Sequence, residues 1–171
     1  MTASARPAAA LRPFLAPDAS ALAEIFRASI EELTADDYGQ AQQDAWASAA
    51  DDEAAFGRSL GGALTLVATI DGEPVGFASL KNGEEIDMLY VHPEAVGQGV
   101  ATMLCDALEK LAHARGAKRL TAQASDTALP FFERRGFQAQ RRNTVLRAGE
   151  WLATTTVEKR LAANEPGRAP Q

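Results

Sequence analysis

Leu-Tyr-Val-His-Pro-Glu-Ala-Val-Gly-Gln-Gly-Val-Ala-Thr-Met-Leu, residues 89–104, is the stretch whose reading decides the fold. Leu89 to Val91 is apolar enough for a central strand, and from Gln98 onward the apolar residues fall at helical spacing, with a glycine turn between. A strand that runs through glycines into a helix gathers unpaired backbone amides and the positive end of the helix dipole at one point, which attracts phosphate. Gly97 and Gly99 remove the Cβ atoms that would block close approach, and Ala101 keeps the first helical turn slim. The turn is too short for a P-loop and lacks its Lys-Ser/Thr ending. Its glycine spacing and the antiparallel meander before it also exclude a dinucleotide fingerprint.

Upstream, Leu64, Leu66, Ala68 and Ile70 alternate, Asp71-Gly72 makes a hairpin turn, and Val75, Phe77 and Ser79 continue on the partner strand, followed by a strand over Glu84 to Val91. Further upstream, Leu11 to Leu15 reads as an edge strand carrying Pro13, and Asp18 as the N-cap of a helix with Leu22, Ile25, Phe26 and Ile30 on one stripe, ending near Leu33. Thr34 to Gly39 is a polar loop, Gln40 to Ala50 a second helix containing Trp46, and Asp51-Asp52 opens a third around Phe56. Downstream, Val100, Leu104, Ala107, Leu108 and Leu111 define an amphipathic helix that Gly116 stops. Arg119 to Ala124 is a strand, Ser125 or Asp126 caps a short helix through Arg135, and Val145-Leu146 pairs with Trp151 to Val157 around Ala148-Gly149. The fold class is α+β: one mostly antiparallel central sheet of about seven strands with helices on both faces.

At 171 residues the chain suits one domain over 11–162, with flexible tails at 1–10 and 163–171, and it can bury about two thirds of its unfolded surface without a staple. A 46% hydrophobic, 23% charged composition is that of a soluble globular protein, and no apolar run approaches the roughly 20 residues of a membrane span. Met1 to Pro13 lacks a signal-peptide apolar core, so the expected location is cytoplasmic. The single cysteine, Cys105, and two separated histidines, His92 and His113, predict neither disulfide nor metal. A net charge of −6 argues against a nucleic-acid partner. Acidity suits a cationic substrate, and it is also a common solubility device.

Residues 89–104 resemble the central acyl-CoA motif of the GNAT superfamily of N-acyltransferases. Ser-Asp-Thr-Ala-Leu-Pro-Phe-Phe-Glu-Arg-Arg-Gly-Phe, Ser125 to Phe137, is similar to that superfamily's second signature, and Leu11-Arg12-Pro13 to its opening strand. The resemblance implies that the fourth strand splays from its neighbour and that the pantetheine arm of acetyl-CoA, the co-substrate, pairs with backbone groups along Leu89, Tyr90 and Val91. It also implies that amides of Val96, Gly97, Gln98, Gly99, Val100 and Ala101 take the pyrophosphate, with Ser125 and Phe132 beside the cofactor. Three residues depart from the superfamily pattern. Val96 replaces an Arg or Gln, which costs a side-chain contact and leaves the amides, and Ser125 replaces a longer Asn. Phe132 stands where many relatives have a tyrosine acid, and phenylalanine has no proton to give. A thiol with a pKa of about 8–9 can still leave as thiolate.

The implied reaction moves an acetyl group to a primary amine of a small molecule or peptide by direct attack in a ternary complex, and an attacking amine must be neutral. Glu85 and Asp87, two apart on one strand, are the candidate bases, Glu85 matching the strand position of a catalytic glutamate in some relatives; the alternative is a solvated sheet face. Glu31, Glu32, Asp36, Asp37 and Tyr38 follow the first helix and either bind a cation or form a solvated loop. Tyr90 either shuttles a proton or packs, His92 either shuttles one or is simply exposed, and Trp46 and Trp151 floor a pocket or belong to the core. Cys105 reads as a buried small hydrophobe, and Arg134 and Arg135 either meet the 3′-phosphate of CoA or are solvated. The competing class is a catalytically silent acyl-CoA-binding module, motivated by Phe132. The protein is expected to be a monomer or homodimer, with the terminal hairpin as a free edge.

Overall fold

The strand before the glycine turn becomes the middle of a seven-stranded sheet because it can bury both faces. The computed structural model describes residues 8–162. The strands are β1 (Ala10–Pro13), β2 (Leu64–Ile70), β3 (Glu73–Lys81), β4 (Glu85–Val91), β5 (Arg119–Ser125), β6 (Gln138–Arg147) and β7 (Glu150–Arg160), in the order β1-β2-β3-β4-β5-β7-β6. Only β4 and β5 pair in parallel; every other neighbour is antiparallel. This is the expected mixed α+β sheet with helices on both faces.

Helices α1 (Ala19–Leu33), α2 (Gln40–Ala47) and α3 (Glu53–Gly61) cover one face, where Leu22, Phe26, Ile30, Phe56 and Leu60 pack on Val67 and Phe77. Helices α4 (Val100–Ala114) and α5 (Leu129–Arg134) cover the other, with Val100, Leu104, Leu108, Phe132 and Phe137 against Ala78, Leu120 and Val157. The buried stripe of α4 is Val100, Leu104, Cys105, Leu108 and Ala112. Cys105 is therefore core, as expected, while Ala107 and Leu111 sit at the half-buried margin. Asp52 caps α3 by accepting from the Ala55 amide at 3.0 Å. Among the described residues no helix is long and apolar enough to cross a membrane.

Several sequence expectations need correction. Asp18 stands at the N-cap position of α1 as expected but makes no side-chain cap bond: its carboxylate receives both guanidinium nitrogens of Arg12 at 2.7 and 2.8 Å and the Leu15 amide at 2.8 Å, tying β1 to the helix start. Arg12 holds that carboxyl below its ordinary range. Neither Ser125 nor Asp126 is the N-cap of α5, which begins at Leu129 after Ala128. Ser125 ends β5 and closes a turn by accepting from the Ala128 amide at 3.1 Å, and Asp126 pairs with Arg142. The terminal hairpin is much longer than Val145-Leu146 and Trp151 to Val157. Its polar arm from Gln138 is an edge strand open to solvent, which apolar periodicity cannot reveal. The Ala148-Gly149 turn is as expected, with φ of 44° and 84°. Strand β1 starts at Ala10, inside the stretch read as a tail; the remainder of the two expected tails, 1–7 and 163–171, lies outside the described residues.

Gly76 on β3 permits the close approach of α4. A Cβ there would lie 3.0 Å from the Tyr90 carbonyl oxygen, 3.0 Å from Val100 Cγ1 and 3.4 Å from Leu104 Cδ1. Gly76→Ala is expected to destabilise by about 1–3 kcal/mol, as overpacking of a tight interior does, read as a lower urea midpoint at unchanged slope.

Candidate active site

Strands β4 and β5 pair only at Glu85↔Thr121 and Ile86↔Ala122 and then part. Beyond that point β4 remains with β3 up to Gly76↔Val91, while β5 follows β7 to Ser125↔Thr154. The edge of β4 from Asp87 to Val91 is thus open on the β5 side, and a cleft of about 310 Å³ occupies the gap.

The register of β3 on β4 shifts between Ser79↔Met88 and Leu80↔Ile86, leaving Asp87 without an opposite residue. This β-bulge changes which side chains share a face. With strict alternation Glu85 and Asp87 would lie with Leu89 and Val91 under α4. Instead Leu89 and Val91 pack with the α4 core together with Ile86, while Met88 and Tyr90 pack with the α1–α3 core. Glu85, half-buried, and Asp87, exposed, both line the cleft.

Beyond Val91, and outside the cleft lining itself, the chain turns through Gly97 (φ 82°) and Gly99 (φ 78°) into α4. Backbone at these angles favours glycine, and a Cβ at either position would meet nothing within 4 Å, so the cradle is open. The first bond of the α4 ladder runs from the Met103 amide to the Gly99 carbonyl at 3.0 Å, so the amides of Val100, Ala101 and Thr102 precede it. Gln98 turns its side-chain amide back to the Glu94 carbonyl at 3.3 Å, and the Val96 side chain is exposed.

The wall of the cleft toward α1 and α2 is built around three aromatic residues, Tyr38, Trp46 and Tyr90. The Tyr90 ring stacks on Phe77 at 5.7 Å and meets Phe26 edge-on at 4.7 Å. Trp46 Nε1 donates to the Tyr90 hydroxyl at 3.2 Å, and Trp46 in turn lies edge-on to Tyr38 at 5.5 Å. Tyr38 donates its hydroxyl proton to the Ala153 carbonyl at 2.6 Å and accepts from the Asp126 amide at 2.9 Å, joining the first helical layer to β5 and β7 across the cleft. Buried Gln43 donates to the Ile30 and Glu31 carbonyls and to Thr34 Oγ1, at 3.0–3.2 Å. It thereby satisfies the end of α1 and holds Ile30, Leu33 and Thr34 on the cleft wall.

Of the sequence candidates, Glu85, Asp87, Leu89, Tyr90, Val91, Ser125 and Phe132 converge on the cleft, joined by Tyr38 and Trp46. Phe132 is buried, edge-on to Phe131 and Phe137. Ser125 spends an acceptor position on Ala128. Other candidates stand elsewhere. Glu31, Glu32 and Asp36 are exposed and outside the cleft lining, and Asp37 accepts from Thr127 Oγ1 at 2.7 Å. His92 accepts from the Glu94 amide through Nδ1. Trp151 is 60% exposed rather than core. Arg135 pairs with Asp106 on α4, and Arg134 is exposed. Sequence reasoning missed Val145 and Arg147 on β6 and Leu152 and Thr154 on β7, which close the opposite wall. Their spacing of two on each strand was the available signal, once both strands were known to cross the cleft.

An open strand edge beside an amide-lined helix start, leading to an acidic, aromatic pocket, is the layout of an acyl-CoA-dependent acyltransferase. The family model for an acetyltransferase (GNAT) domain matches residues 34–159, and the chain belongs to this family of N-acetyltransferases, with acetyl-CoA as co-substrate. The chain is 36% identical over 142 residues to the uncharacterized N-acetyltransferase YafP of Escherichia coli K12, covering 83% of this chain and 89% of that one. A crystal structure of a GCN5-related N-acetyltransferase from Rhodopseudomonas palustris, described also as an aminotransferase of class II, is 61% identical with a TM-score of 0.89, over 94% of this chain and 99% of that one. The PaiA N-acetyltransferase of Thermoplasma acidophilum, solved with coenzyme A, shares the fold at 18% identity and a TM-score of 0.74, over 90% of this chain and 99% of that one.

Burial pushes the Tyr90 phenol up to about 12, with Asp87 acting in the same direction against the Trp46 hydrogen bond and Arg147. The folded state favours the neutral phenol, so this contribution to stability is complete below pH 10 and is lost as pH rises toward 12. Urea unfolding across that window is expected to lose about 3 kcal/mol through Tyr90, and Tyr90→Phe to flatten the profile. Tyr38, also raised chiefly by burial, retains its own share.

Proposed function

We propose that this protein transfers an acetyl group from acetyl-CoA to a primary amine of a small molecule or peptide, by direct attack within a ternary complex. The observation that carries the reading is the parting of β4 from β5 on the strand that leads to the glycine cradle, with two carboxylates lining the cleft so formed. The open edge from Leu89 to Val91 suits an amide-bearing arm laid along it as an extra strand. The amides from Val96 to Ala101 and the start of α4 suit a pyrophosphate, a fit supported by the open space over Gly97 and Gly99.

A bound acetyl thioester supplies the activated carbonyl carbon. Glu85 or Asp87, directly or through water, removes a proton from the acceptor ammonium and leaves the nitrogen lone pair free to form the new C–N bond as the C–S bond breaks, and the second nitrogen proton passes to water as the amide forms. Phe132 gives no proton, so the sulfur departs as thiolate, the stable form of a thiol whose pKa is about 8–9 once the pH exceeds that range and an accessible one below it. Cys105 is fully buried under α4, where burial raises its thiol pKa, and this favours direct transfer over a cysteinyl intermediate.

Acetyl-CoA turnover on an amine panel tests the reading. Substituting the operative carboxylate, Glu85→Gln or Asp87→Asn, is expected to lower kcat by about 10²–10⁴ with CoA affinity retained. Gly97→Ala and Gly99→Ala are expected to weaken CoA binding about tenfold in calorimetry, because a Cβ at positive φ costs roughly 1–2 kcal/mol. Tight CoA binding with no turnover of any amine would instead identify a silent binding module, the reading that Phe132 favours.

A further inference from the structure

The cleft that carries two carboxylates also carries a cation. Arg147 lies near the end of β6 and lines the cleft together with Val145, two residues before it. Among the described residues no carboxylate lies within 4.0 Å of its guanidinium, although Glu150 is its cross-strand partner. Its one side-chain hydrogen bond there runs from Nη1 to the Leu146 carbonyl at 3.1 Å, which leaves most of the donor fork free. Asp87 and Arg147 act with opposite sign on the same Tyr90 phenol, so both charges stand within electrostatic reach of one point on the cleft floor. The lining they share includes the apolar and aromatic side chains of Ile30, Leu33, Trp46, Val145 and Leu152, interspersed with hydroxyl and amide side chains.

A simple cationic amine would be drawn to Glu85 and Asp87 and repelled by Arg147. A molecule with an ammonium at one end and a carboxylate at the other satisfies both. We propose that the acceptor is a free amino acid with an apolar or aromatic side chain, its amine directed to Glu85 and Asp87 and its carboxylate to the Arg147 guanidinium. This deepens, and rests on, the acetyl-transfer reading above. The guanidinium fork matches a carboxylate in two parallel hydrogen bonds, which a lysine cannot reproduce.

The test compares kcat/KM for L-leucine and L-phenylalanine, for their amides, for isoamylamine and phenethylamine, and for a short peptide with a blocked C-terminus. The acids are expected to exceed the amides and simple amines by about 10–100-fold, the effect of a charge-assisted hydrogen bond. In Arg147→Gln the acid-to-amide ratio is expected to fall toward one, mainly through a higher KM for the acids, and Arg147→Lys to restore part of it. Arg147 is exposed on a hairpin, and CoA affinity reports whether the variants remain folded. Amides, amines or the blocked peptide used as well as the acids, or an unchanged ratio in Arg147→Gln, overturns the amino-acid proposal and leaves acetyl transfer standing. CoA binding with no turnover of any of these acceptors, or of a wider amine panel, overturns acetyl transfer and this proposal with it.

Discussion

The structure turns on the separation of β4 from β5. Parallel strands normally keep their register, yet here each strand has a stronger commitment on its other side, β4 to β3 and β5 to the long antiparallel β7. Both stay with those partners as the sheet twists, and a wedge opens between them. Exposed strand edges inside a protein are costly unless water or a ligand pairs with them. The wedge is therefore at once the weakest seam in the sheet and the place best prepared to receive an extended, amide-bearing molecule.

The bulge at Asp87 allots the two faces of β4 to different tasks. Below it, Ile86 belongs to the α4 layer; above it, Leu89 and Val91 do, and both carboxylates line the cleft. The α4 side is packed tightly enough that Gly76 has no room for a methyl group. The opposite side is held by polar bonds placed within aromatic packing: Tyr38 spans two strands, Gln43 closes the end of α1 and Trp46 reaches Tyr90. Such fully paired buried groups fix the position of a pocket more sharply than apolar packing alone.

Phe132 shows how one lost hydroxyl shifts the demands on the rest of the site. Its ring stays in the α5 core with Phe131 and Phe137, so packing is kept while the proton donor is gone. In the proposed reaction the departing sulfur then depends on its own acidity, and the proton chemistry rests with the carboxylates of β4. Arg147 lines the same cleft as Glu85 and Asp87, so side chains of both charges face one cavity.

The features that the sequence by itself determined are local ones. Positive φ at Gly97 and Gly99, the start of α4 and the alternation along β2 and β3 all follow from the residues of a few neighbouring positions, so the cradle, the antiparallel meander and the α+β class were legible. Tertiary structure decided what depends on pairing between distant segments. The Asp18 carboxylate makes no cap bond at the start of α1 because Arg12 and the Leu15 amide take it, and Trp151 is exposed on the terminal hairpin. The polar arm of β6 became a strand only because β7 supplied its hydrogen bonds. The face on which Glu85 and Asp87 lie was settled by a bulge that exists only against β3, and Arg147 reached the cleft only when the terminal hairpin crossed its far wall. Side-chain chemistry is written in the sequence, whereas which charges share a cavity is set by strand register and closure, which no single segment encodes.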